Sequence, residues 1–214
     1  ECGAYPFQAL RRKYGAAVEK FGEPTLKRNG LLPWREAEEF GNLRRAFEEF
    51  KREAPYTTSN VTLFSAVASH YIQDAHQPFH ATENYDGQLS GNAGIHSRFE
   101  RDLIERYESR LRLTPAPVKA MSSARDAAFE ALLASFLLVD PILKADKDAI
   151  GSGDTYDDAY FEKFFTNVQP VLEQQLSAAI TVTASMIVSA WDQAGRPTVP
   201  VTDPRPPHKV RSPR

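Results

Sequence analysis

Apolar side chains recur at three- and four-residue steps along most of this chain, and few stretches alternate at period two. Phe7, Leu10, Tyr14, Val18 and Phe21 form the first such series, which predicts a helix from Pro6 to about Phe21. Gly22-Glu23-Pro24 and Asn29-Gly30 interrupt the pattern. Pro33 then suits the first turn of a second helix carrying Trp34, Ala37, Phe40, Leu43, Phe47 and Phe50. The opposite face of that helix, with Arg35, Glu38, Glu39, Arg45, Glu48, Glu49 and Arg52, reads as solvated. Thr57, Thr58 and Ser59 are cap candidates for a third helix holding Val61, Phe64, Val67, Ala68, Tyr71 and Ile72, which Pro78 stops or kinks.

From Ala81 to Gly94 the sequence is loop-like, and a fourth helix is predicted from about Ile95 to Leu113. After Pro115 and Pro117 the pattern predicts a long apolar helix to about Val139 and a short one after Pro141. Helices from about Asp157 to Ala194 follow, with Pro170 starting the last of them. The fold class is therefore all-α, a multi-helix single-domain bundle over residues 1–194. Residues 195–214, rich in proline and arginine, read as a disordered tail that includes His208.

Composition narrows the choice of partner. The 214 residues are 42% hydrophobic and 25% charged with a formal net charge of -2, so no overall basic field draws the chain to nucleic acid. Apolar stretches such as Ala131 to Val139 and Ile180 to Ala190 fall short of the roughly 20 residues that span a bilayer, and no integral membrane segment is expected. Cys2 is the single cysteine, which excludes an intrachain disulfide and reads as a structural or surface thiol. The start Glu1-Cys2-Gly3-Ala4 has neither the basic residues nor the apolar run of a signal peptide.

Chemistry concentrates in one short region. Four of the five histidines fall between positions 70 and 96, namely His70, His76, His80 and His96. His70/Asp74 and His96/Glu100 are spaced i,i+4, which stacks an imidazole and a carboxylate on one helix face. Zinc takes these donor types, and a catalytic site commonly has three protein ligands with one position left for water. His80 from the loop, with His96 and Glu100 from the next helix, would make such a set. His70 and Asp74 supply two further ligands, and the two oxygens of Asp74 suit it to bridge a second metal, the logic of phosphoester hydrolysis. His76 is offset from the His70/Asp74 face and reads as a packing or outer-sphere residue. The patterns His-Glu-x-x-His and Glu-x-x-His are absent.

His70-x3-Asp74-x-His76-Gln77-Pro78-x-His80, followed by Gly91-Asn92 and His96-x3-Glu100, resembles the core motif of the zinc-dependent phospholipase C and single-strand-specific nuclease superfamily. The likeness is dense over residues 69–100 and extends weakly to Leu31-Leu32-Pro33-Trp34-Arg35. It implies an all-α hydrolase that cleaves phosphodiester bonds through a zinc-activated water. His70 and a bridging, catalytic Asp74 would serve one pair of zinc ions and His80, His96 and Glu100 the third. It also implies a phospholipid or single-stranded nucleic acid as substrate, a secreted or periplasmic location and no stable protein partner. Glu100 and the short loop after His80 look like the phospholipase branch, whereas His-Gln-Pro-x-His looks like the nuclease branch. Asn84, Tyr85 and Asn92 flank the site as candidate substrate contacts.

The family also uses metal ligands ahead of the His-x3-Asp helix, but residues 1–69 hold neither histidine nor aspartate. The chain thus looks like a bacterial-type member without its N-terminal part. Up to three zinc ions are expected in a complete protein, but here about one, with weak or no activity. The competing expectation is a catalytically inactive helical protein in which zinc only staples the loop.

Overall fold

A computed structural model describes residues 12–153 and 155–199 and is all-α, with no strand among them. Helices α1 (Tyr14–Phe21) and α2 (Glu23–Asn29) meet at Gly22, whose φ of 79° ends the first and opens the second. The expected break is therefore a corner followed by a short extra helix. The expected helical stretch ahead of Arg12, Cys2, and positions 200–214 with His208 lie outside the described residues.

α3 (Leu32–Glu49) and α4 (Thr57–Ala75) form an antiparallel hairpin. Pro33 lies in the first turn of α3, where its missing N–H has no helical acceptor. Phe40, Leu43 and Phe47 from α3 join Ala68 and Ile72 from α4 in one core. Two expectations fail in this hairpin. Glu39, assigned to the solvated face, is buried. None of Thr57, Thr58 and Ser59 occupies the cap position of α4, which is Tyr56 in the left-handed region at φ 63°, and the helix starts at Thr57.

The fourth helix is not regular. α5 (Ile95–Ser97) passes through a π-helical turn (Arg98–Asp102) into α6 (Leu103–Tyr107), and a 3-10 turn closes it at Arg110, short of the expected Leu113. An extended strap then runs along the last helix. The backbone N–H groups of Thr114, Ala116, Lys119 and Met121 donate to the hydroxyls of Ser177, Thr181, Ser185 and Ser189 at 2.8–3.1 Å. Pro115 and Pro117 alternate with two of these donors and have no N–H of their own to satisfy.

α7 (Ala124–Phe136) is capped by Ser123, whose Oγ accepts from Asp126 N at 3.2 Å. α8 (Val139–Ile150) begins two residues before Pro141, which occupies its first turn instead of preceding it. α9 (Asp158–Gln193) is capped by Asp157, whose side chain accepts from Tyr160 N, and it is one continuous helix of 36 residues with Pro170 inside it. The expectation that Pro170 starts a separate helix fails for a packing reason. Phe164, Phe165 and Val168 before it and Leu172 after it are buried in one core, and that burial offsets the lost backbone hydrogen bond.

α9 spans both main cores, its first half packing with α6 and α8 and its second half with α3 and α4. By length and composition it is also the one described helix that could cross a membrane, with an 18-residue stretch of mean hydropathy 1.3. That feature is hidden when its apolar stretches are read piecewise. Beyond α9 the chain packs for a few more residues. Trp191 Nε1 donates to the Pro197 carbonyl at 2.9 Å, and Pro197 is buried, so the expected loose tail does not begin at Gly195.

Candidate metal centre

α4 ends at Ala75, and Gln77-Pro78 turns the chain into a 3-10 turn (Pro78–Ala81) that delivers His80. Phe79 of this turn is fully buried against Ile95 and Phe99, which brings His80 to the segment carrying His96 and Glu100. The result is a convergence of three donor atoms. His80 Nε2 lies 3.1 Å from His96 Nε2, His96 Nε2 lies 2.8 Å from Glu100 Oε2, and His80 Nε2 lies 3.9 Å from Glu100 Oε2. Tetrahedral zinc with bonds of about 2.0–2.1 Å holds its ligand atoms about 3.3 Å apart, and the three separations bracket that value, so small side-chain shifts would let this donor set hold a small divalent ion.

The other faces of these side chains are already committed. His96 Nδ1 donates to the Tyr85 carbonyl at 3.1 Å, which leaves the lone pair on Nε2. The His80 ring bonds the backbone of Asp74, and its Nδ1 stands 3.6 Å from Asp74 Oδ1. Gln77 Nε2 donates to Glu100 Oε2 at 2.9 Å, while Gln77 Oε1 accepts from Phe79 N at 3.2 Å. Burial pushes His80 below the ordinary histidine range, against the pull of Asp74 and Glu100, and keeps it as the neutral imidazole a metal needs. Burial alone would raise Glu100, but the Gln77 hydrogen bond and the two imidazoles outweigh it and hold the carboxyl below its usual value.

The segment is anchored from beneath by a buried polar network. Arg98 Nη2 donates to Asp146 Oδ1 at 3.0 Å and Arg98 Nε to Tyr160 Oη at 3.0 Å, while the Tyr160 hydroxyl donates to Asp146. The Arg98 guanidinium also stacks 4.0 Å over the Tyr156 ring. Asn92, fully buried, donates from Nδ2 to Leu143 O at 3.0 Å and to Asp146 Oδ2 at 2.6 Å. The loop and the π turn are thereby tied to α8 and α9.

The remaining candidates separate. His70 Nε2 is 3.4 Å from Asp74 Oδ2, but the His70 side chain is 68% exposed and does not join the triad. Asp74 lies between two histidines, one oxygen toward His70 and the other toward His80. His76 is buried, its Nδ1 donates to Ile72 O at 2.7 Å, and it is not part of the converging triad. Two substrate-contact expectations are corrected. Asn92 is sealed inside the network, and Asn84 spends its side chain on the loop, with Nδ2 donating to Ser90 Oγ and Oδ1 accepting from Leu89 N, both at 2.8 Å. Tyr85 is exposed and lines the adjoining cavity.

That cavity has a volume of about 1040 Å³, and Trp34, Arg35, Tyr71 and Asp74 line it together with His80 and His96. A second, of about 700 Å³, meets Asp74 and Glu100 from the other side and is walled by apolar residues of α9 such as Leu176 and Ile187. Gln77, Arg98, Asp146 and Tyr160 were not legible as site residues. The one sequence hint is that Gln77 and Arg98 sit inside the histidine motifs themselves. No protein-family model matches the chain, and none of the curated proteins does.

Proposed function

We propose that the chain is a metal-dependent phosphodiester hydrolase of the phospholipase C or single-strand nuclease type, with zinc held by His80, His96 and Glu100. The observation that carries the reading is the convergence of two Nε2 atoms and one carboxylate oxygen whose supporting groups are already hydrogen-bonded. A divalent ion bound there supplies a Lewis acid for the phosphoryl oxygens and lowers the pKa of a nearby water.

The chain's own residues supply the rest. The π turn and the Phe79 turn fix the three donors, and Gln77 orients Glu100. Asp74 carries its carboxylate to the cavity and serves as proton acceptor, and Arg28 and Arg35 line the same cavity as positive charge for an anionic ester. A phospholipid or single-stranded nucleic acid as substrate, and a secreted or periplasmic location, come with the motif likeness.

The test is a zinc titration combined with hydrolysis assays on bis(p-nitrophenyl) phosphate, phosphatidylcholine vesicles and single-stranded DNA. About one zinc per chain is expected, with loss of binding and hydrolysis together in His80→Ala and His96→Ala. Activity that survives either substitution rejects the catalytic reading. A second reading has its own observation: His80 and His96 bracket the loop 81–94, so zinc there would staple that loop. Zinc that raises the melting temperature of a chain unable to cleave any of the three substrates favours this structural role.

A further inference from the structure

Glu36 lies within α3, fully buried, and both its carboxylate oxygens have no hydrogen-bond partner. A carboxylate in that position would carry an uncompensated desolvation penalty, because nothing replaces the water it loses. α3 packs against α4, α7 and α9, and the charged groups on those helices are engaged elsewhere. On α4 the ionisable residues are His70, Tyr71 and Asp74. Tyr71 bonds Arg35, while Asp74 turns to His70 and His80. On α7, Arg125 and Asp126 pair with each other, and Arg12 bridges Asp126 and Glu130. α9 has no ionisable residue between Gln174 and Trp191. On α3 itself, Glu39 is the one charge that acts on Glu36, and it accepts from Asn42 Nδ2 at 3.0 Å.

We propose that Glu36 is held as a neutral carboxylic acid and makes the packing of α3 depend on that proton, so that ionisation loosens α3 and the Trp34–Arg35 wall of the large cavity. The inference stands on α3 alone and is independent of the metal reading. Burial first, and then the charge of Glu39, push the Glu36 carboxyl up to about 9. The sign follows from linkage. The folded chain keeps a proton that the unfolded chain releases near the ordinary glutamate value, so the stabilisation is complete in acid and is lost as pH rises toward 9.

The experiment is urea unfolding of the full chain from pH 5 to 10 for wild type, Glu36→Gln and Glu36→Leu. Fluorescence of Trp34 is followed in a Trp191→Phe background, since these are the two tryptophans. Relative to Glu36→Gln, the wild-type folding equilibrium constant is expected to fall about tenfold per pH unit from about pH 5 to about pH 9 and to level off above it. An alkaline change in Trp34 emission is expected in wild type and not in either variant. Parallel pH profiles, or the same alkaline change in Glu36→Gln, overturn the proposal. Failure of both variants to fold at pH 6 also overturns it, because a seam that holds a neutral acid accepts a neutral replacement.

Discussion

His96/Glu100 and His70/Asp74 share one spacing and meet different fates. In the first pair the donor atoms stand 2.8 Å apart on a segment pinned by Arg98, and His80 closes the set from a turn locked by Phe79. In the second pair His70 projects to solvent at 68% exposure, and Asp74 turns one oxygen toward His80 as an outer carboxylate. An i,i+4 pair brings two side chains together on a helix but does not converge on a third donor. Convergence comes from a loop that returns to the helix and from a core that fixes the return.

The strongest way to break this contrast is to remove the anchor of one region and leave the other intact. Arg98→Met strands the buried Asp146 carboxylate, and it is expected to cost about 3–5 kcal/mol, a large fraction of the stability of a single domain. Chemical denaturation measures it, and a loss under 1 kcal/mol would show that the network does not hold the π turn. Next comes His96→Ala, which removes a donor outright. Calorimetric zinc titration is expected to show a loss larger than the roughly 10–100-fold that an orienting residue costs.

Gln77→Ala sharpens the comparison, since it leaves all three donor side chains in place while removing the hydrogen bond to Glu100 and the cap on the Phe79 turn. Zinc affinity is expected to fall about 10–100-fold, with a stability loss of about 1–3 kcal/mol from the unpaired Phe79 N–H, and equal affinity would remove Gln77 from the site. The smallest effect is expected from His70→Ala, within about 0.5 kcal/mol in stability and without change in the number of zinc ions bound. A lower zinc count by elemental analysis would return His70 to the candidate metal centre.

Much of the fold was legible. The period of apolar residues placed helices α3 and α4 and the start of α9, and proline marked the end of α4. Where the reading failed, tertiary packing had overridden a local rule. Pro170 stays inside α9 because buried aromatics precede it and Leu172 follows it, and Glu39 is buried because its face meets other helices as well as solvent. Asn92 illustrates the same limit within the site. A Gly-Asn pair in a polar loop looks available to a ligand, yet its amide completes a buried network with residues more than fifty positions away.

The candidate donors, His80, His96 and Glu100, could be named from the sequence alone, because residue type and short-range spacing are properties of the chain. Which nitrogen faces the centre, which pair stays open to solvent and which polar residues hold the rest were decided only by the tertiary structure. Those choices depend on contacts between segments distant in sequence, where burial and hydrogen-bond partners are set by the whole core and not by any neighbour along the chain.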